Sequence, residues 1–156
     1  MQIAFDNWRQ EPHEYTELLL GKERDARLNP VRSFQDAGCL VSFGSDAPCT
    51  TPDPVDWLYR AVHHSNPDES VSIRQALRMA TYNGYCATFD ENERGSLEAG
   101  KVADMVVLSR NPYEIPADEI RSIQVLHTIL GGKEYIPQKQ SVAGCMLRGM
   151  GSRRKA

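Results

Sequence analysis

The chain has 156 residues, of which 40% are hydrophobic and 25% charged, and its formal net charge is −3. This is the composition of a soluble globular protein with length enough for one core, and the charge gives no general reason to expect nucleic acid as a partner. No apolar run is long enough to span a bilayer, so no membrane partner is expected, and Met1-Gln2-Ile3-Ala4-Phe5-Asp6 has neither the basic leader nor the apolar core of a signal peptide.

Taken in order, Ile3-Ala4-Phe5 reads as the end of a strand running into a loop. Residues 9–28 are polar apart from Leu18-Leu19-Leu20. His13 reads as solvent-exposed there, and Lys22, Arg24 and Arg27, alternating with Glu23 and Asp25, read as a solvated face. Asn29 can cap a helix, Pro30 suits its first position, and Gly38 suits its stop. Next comes Cys39-Leu40-Val41-Ser42-Phe43, an apolar run closed by Gly44-Ser45-Asp46-Ala47-Pro48, which suits a strand buried on both faces. Asp53-Pro54 then repeats the cap-and-proline start. Val55, Leu58, Tyr59 and Val62 follow at helical spacing, up to His63-His64. Adjacent histidines on a helix point about 100° apart and do not readily chelate one metal.

Ser72-Ile73-Arg74-Gln75 has the form of a capping box, and the helix it opens is expected to break at Asn83-Gly84. The piece after the break lacks the Arg and Lys of a DNA-reading helix. Asp90-Glu91-Asn92-Glu93-Arg94-Gly95 is a turn-forming linker, and the character then changes to β. Strands are expected over 103–108 and 125–130, with a helical turn at 116–120 between them. Gly131-Gly132 is a hairpin turn leading to a return strand over 133–136, and His127 reads as structural. Cys39, Cys49, Cys86 and Cys145 form no CxxC pair and read as reduced thiols of a cytoplasmic protein.

Helix, buried strand, helix is an α/β unit, and Asp46 falls at the carboxyl end of its strand, the end that carries the chemistry in α/β barrels. As residues alone, Ser-Asp-Ala-Pro reads equally as a turn with a capping aspartate. Gly44-Ser45-Asp46-Ala47-Pro48 is followed downstream by Gly95-Ser96-Leu97-Glu98-Ala99-Gly100-Lys101-Val102-Ala103-Asp104-Met105-Val106-Val107-Leu108. In that order the two motifs resemble the C-terminal end of a metal-dependent amidohydrolase, of the amidohydrolase 3 group, up to about Ile136.

The resemblance implies an α/β fold made of the last strand–helix units of a (β/α)8 TIM-type barrel over residues 1–94. It implies the C-terminal part of a small composite β-sandwich over 95–137, followed by a disordered tail over 138–156. It implies hydrolysis of C–N bonds in amides or cyclic amides of a small-molecule substrate, with Asp46 as metal ligand and proton shuttle, and a divalent metal, zinc, in the intact enzyme. Ser96, Lys101 and Asp104 take structural roles in the sandwich motif. The family's His-x-His pair and later histidines have no counterpart here, and His13, His63, His64 and His127 fall in no matching motif. The chain alone is therefore expected to be an inactive fragment that holds no metal and self-associates through its open edges, as a homo-oligomer or less regularly. The alternative is a truncated domain with a structural or assembly role.

Overall fold

Among the described residues, six helices and one small sheet follow from local signals and from a core that runs from Ile3 to Ile123. The computed structural model describes residues 1–9 and 13–136. The helices are α1 (His13–Leu20), α2 (Lys22–Asp25), α3 (Val31–Asp36), α4 (Pro54–Val62), α5 (Ile73–Ala80) and α6 (Tyr82–Thr88). Turns of 3-10 helix cover Ile3–Arg9, Pro67–Glu69 and Ala117–Ser122. Strands β1 (Met105–Leu108), β2 (Val125–Leu130) and β3 (Lys133–Glu134) form one antiparallel sheet in the order β1-β2-β3. Residues 138–156, expected to be a disordered tail, lie outside the described residues, as does the side chain of His13.

α4 starts where the Asp53 carboxylate accepts hydrogen bonds from the amides of Val55 and Asp56, with Pro54 in the first turn. α5 starts on the complete capping box of Ser72 and Gln75. The two helices pack against each other and bury Leu58, Ala61, Ala76 and Met79. Each large side chain so buried is worth about 1.5–3 kcal/mol of transfer free energy. α3 ends as a Schellman turn: Gly38 has φ 80°, Cys39 N–H donates to the Phe34 carbonyl at 2.9 Å, and Gly38 N–H to that of Gln35 at 2.9 Å.

The 3-10 turn at Ala117–Ser122 docks onto α4. Ile120 and Ile123 enter the same core as Ile3, Val31 and Leu58. The rim of this contact is ionic. Asp56 accepts from Arg121 Nε at 2.9 Å, Arg121 lies 3.8 Å from the centre of the Tyr59 ring, and His63 Nε2 lies 2.9 Å from Asp118 Oδ1. The sheet is less covered. Val106, Leu126 and Leu130 remain 54%, 53% and 52% exposed, and a register shift falls between Val107 and Leu108.

Several expectations are corrected. The run 39–46 forms no assigned strand and is not buried on both faces: Val41 is 6% exposed but Leu40 is 54% exposed. Among the described residues no layer covers the side that bears Leu40. Ile3-Ala4-Phe5 lies in a 3-10 turn, not at a strand end. Asn29 makes no side-chain cap; it sits at φ 52° and its carbonyl accepts from Val31 N–H at 2.7 Å. The break between α5 and α6 falls at Thr81, not at Asn83-Gly84. Asn83 is instead buried inside α6 and donates from Nδ2 to the Val41 carbonyl at 2.7 Å. The hairpin is at Gly131-Gly132 as expected, but β1 starts at Met105 and β3 stops at Glu134.

Gly95 turns the chain from helix to sheet at φ 88°, and a Cβ there would lie 2.8 Å from Tyr85 Cδ2 and 3.3 Å from the Tyr82 Cα. Gly95→Ala therefore adds left-handed strain to a clash, and a loss of about 2 kcal/mol or more is expected in denaturant unfolding. Asp104 accepts from Gly131 N–H at 2.7 Å and pairs with Arg94. The Gly131 amide, helped by the Arg94 charge and opposed by burial, holds its carboxyl below the usual value of 3.8. Its contribution is then present above the unfolded-state pKa and is lost as pH falls through the lower folded-state value. Thermal melts below pH 4 should show a steeper acid loss for the parent than for Asp104→Asn.

Candidate active site

Residues 41–44 are held in extended form by hydrogen bonds on both edges. On one edge the Met1 amine donates to the Ser42 carbonyl at 2.5 Å, and Gly44 N–H donates to the Met1 carbonyl at 3.0 Å. This is the pattern of a single parallel β-bridge, with Met1 opposite Phe43. Burial pushes the pKa of the Met1 amine down. On the other edge Phe43 N–H donates to the Met79 carbonyl at 3.1 Å, and Asn83 Nδ2 reaches the Val41 carbonyl. The end of α5 and the start of α6 therefore close this edge.

The extended run ends in a tight turn. Asp46 has φ 55°, its carbonyl accepts from Cys49 N–H at 2.9 Å, and the Ala47-Pro48 peptide is cis, as in a type VI turn. Ser45 Oγ accepts from Ala47 N–H at 3.1 Å, and Thr50 Oγ1 donates to the Ser45 carbonyl. Asp46 is exposed. A non-glycine residue in the left-handed region is uncommon, and here the flanking bridge and turn hold it. Behind the turn lies a cavity of about 600 Å³, lined by Ala4, residues 47–52, Asp56 and Arg60.

None of the three histidines with described side chains joins Asp46. His64 is fully buried: its Nε2 lies 3.0 Å from the Asn29 carbonyl and its Nδ1 accepts from Asn66 N–H at 3.0 Å. Asp6, equally buried, lies 3.7 Å from His64 and accepts from Ser65 N–H at 3.0 Å and Ser65 Oγ at 2.5 Å. The group ties the first turn of the chain to the end of α4. His63 stacks on Tyr59 and pairs with Asp118, and His127 pairs with Glu134 at 2.6 Å. Among the described residues no group of three or more His, Cys, Asp or Glu could hold a metal ion. One exposed carboxylate falls short of the three protein ligands of a catalytic zinc site, so the described residues do not fit a complete metal centre.

Ser96 and Lys101 bond each other in the turn before β1, apart from Asp46, and Asp104 pairs with Arg94 and the Gly131 amide. Lys101 Nζ donates to Ser96 Oγ at 2.7 Å and to the Glu91 carbonyl at 2.7 Å, which fastens the turn before β1. Sequence reasoning missed the buried Asp6–His64 pair, whose members lie 58 positions apart without periodic signal. It also missed Arg60, although an Asp and an Arg four residues apart on α4, Asp56 and Arg60, are a legible ion pair.

A family model described as Amidohydrolase family matches residues 1–136, and this chain belongs to that family. It is 39% identical over 136 residues to an N-substituted formamide deformylase of Arthrobacter pascens, which covers 83% of this chain and 23% of that protein. It is 30% identical over 108 residues to an imidazolonepropionase of Porphyromonas gingivalis, covering 67% of this chain and 24% of that one. Among solved structures, an amidohydrolase from Thermotoga maritima MSB8 superposes with a TM-score of 0.53 at 22% identity, over 69% of this chain and 26% of that chain. At that identity the likeness concerns the fold, which is mixed α/β. The chain spans less than a quarter of the length of these curated relatives. Among the described residues, no helix is long and apolar enough to cross a membrane.

Proposed function

We propose that this chain is the C-terminal part of a metal-dependent hydrolase acting on amide or cyclic amide C–N bonds of a small molecule, with Asp46 as metal ligand and proton shuttle. The observation that carries the reading is the family match over residues 1–136, with Asp46 at the exit of the segment that pairs in parallel with Met1. In this reading residues 1–94 close a (β/α) barrel, and residues 95–137 contribute to a β-sandwich. A divalent metal, zinc by preference, would supply a water of lowered pKa, and its other ligands belong to the part of the enzyme that this chain does not span. Asp46 is exposed at the end of a segment hydrogen-bonded on both edges, where a carboxylate can take a proton from the attacking water and pass it to the leaving nitrogen.

The free thiols of Cys39, Cys49 and Cys86 support a cytoplasmic setting. The exposed Val106, Leu126 and Leu130 of the sheet support self-association of the chain on its own. A second reading, a non-catalytic domain with a structural or assembly role, draws its support from the incomplete ligand set around Asp46.

Two measurements test the first reading. In a full-length amidohydrolase carrying this segment, Asp46→Asn should lower turnover by about a hundredfold or more, the usual scale of acid–base catalysis. Near-normal turnover would remove Asp46 from the mechanism. Calorimetric titration of the chain alone with zinc should show no stoichiometric binding tighter than about 1 μM. Tight binding lost on Asp46→Ala would mean that the chain carries ligands beyond Asp46.

A further inference from the structure

The cavity behind the Asp46 turn contains a cation whose hydrogen bonds are not all used. Arg60 projects from α4 with its side chain only 9% exposed. Its Nε donates to Asp56 Oδ2 at 2.5 Å, while Nη1 is buried with no hydrogen-bond partner among the described residues. A buried guanidinium N–H left unpaired is costly, and the natural partner for a fork of donors is a carboxylate or a similar oxyanion.

Asp56 does not supply that partner, because it is shared. Its Oδ1 accepts from Arg121 Nε at 2.9 Å and lies 2.8 Å from Arg121 Nη2. Two guanidinium groups thus share one carboxylate, and Asp56 leaves Arg60 Nη1 without an acceptor among the described residues. Among the described residues, Asp56 and Arg60 are the charged ones that line the cavity, and Thr50 and Thr51 add small polar side chains on the side of the Asp46 turn.

We infer that this cavity is a binding subsite for a carboxylate or comparable oxyanion, with Arg60 as the group that receives it. This deepens the proposed function and rests on it: the cavity wall continues directly from Asp46 through Ala47 and Pro48, so the substrate would be an amide bearing an anionic group at a distance from the scissile bond. Arg60 would then act on binding and orientation, not on the bond that breaks.

The test reads binding without turnover, so it does not depend on the hydrolytic assignment. The chain is titrated with benzoate, and with benzyl alcohol as a neutral probe of similar size, while the Arg60 side-chain Nε–H resonance is followed by NMR. The expected result is a saturable shift with benzoate, at a Kd of about 1 mM or tighter, and none with benzyl alcohol. Arg60→Gln should weaken benzoate binding by about thirtyfold or more. Arg110→Gln, at an exposed pair with Glu119, should leave it unchanged. Should Arg60→Gln fail to fold, Arg60→Lys, which keeps the charge but loses the planar fork, should retain weakened binding. Asp46→Asn should still bind benzoate: loss of turnover in that variant bears on catalysis alone. Equal response to both probes, or full benzoate affinity in either Arg60 variant, would overturn the subsite.

Discussion

The structure depends on how residues 41–44 are held at both edges. An extended backbone leaves a donor and an acceptor per residue to be satisfied, and an isolated strand gains nothing from its own residues. Here Met1 satisfies the Ser42 carbonyl and the Gly44 amide from one side. Met79 and Asn83 satisfy the Phe43 amide and the Val41 carbonyl from the other. These contacts join the first residue of the chain to the junction of α5 and α6 through a segment that is neither helix nor ladder. Everything beyond Gly44, including the left-handed Asp46, inherits its position from them.

The remainder of the fold secures the groups that make those contacts. α5 delivers the Met79 carbonyl because its capping box fixes its start and its apolar side packs on α4. α4 is held in turn by the Asp53 cap, by Ile120 and Ile123 beneath it, and by Arg121 and Asp118 at its rim. Buried Asp6 and His64 anchor the first 3-10 turn to the end of α4, which keeps Met1 in register with Phe43. The small sheet is the least supported part. Its strands are short and its apolar side chains half exposed, and the Asp104 and Lys101 contacts fasten its ends more firmly than its faces.

What could be read from the sequence was what local chemistry decides. Asp53-Pro54, Ser72 with Gln75, Gly38 and Gly131-Gly132 each specify a cap or a turn within a few residues, and each is found. The run 39–46 was misread because burial on both faces needs neighbouring layers that sequence periodicity does not report, and Leu40 lies where no described layer covers it. Asn29 offered a cap, but its backbone is used by Val31 and His64 instead. His64 was legible as a residue at a helix end and not as a buried one, because its partners Asp6 and Asn29 are remote in sequence. For the site, the position of Asp46 after an extended segment was legible. Arg60 and the cavity were not, since a helical i,i+4 ion pair gives no hint that one of its members is buried beside a turn.

Amide hydrogen exchange at Phe43 and Gly44 reads both edges of the segment, since Phe43 N–H bonds to Met79 on one side and Gly44 N–H to Met1 on the other. These two amides are expected to exchange as slowly as those in the middle of α5, because each is donated to a backbone carbonyl held by the core. Exchange at the rate of an unprotected loop, with α5 itself still protected, would show that the segment is not held and that Asp46 has no fixed position.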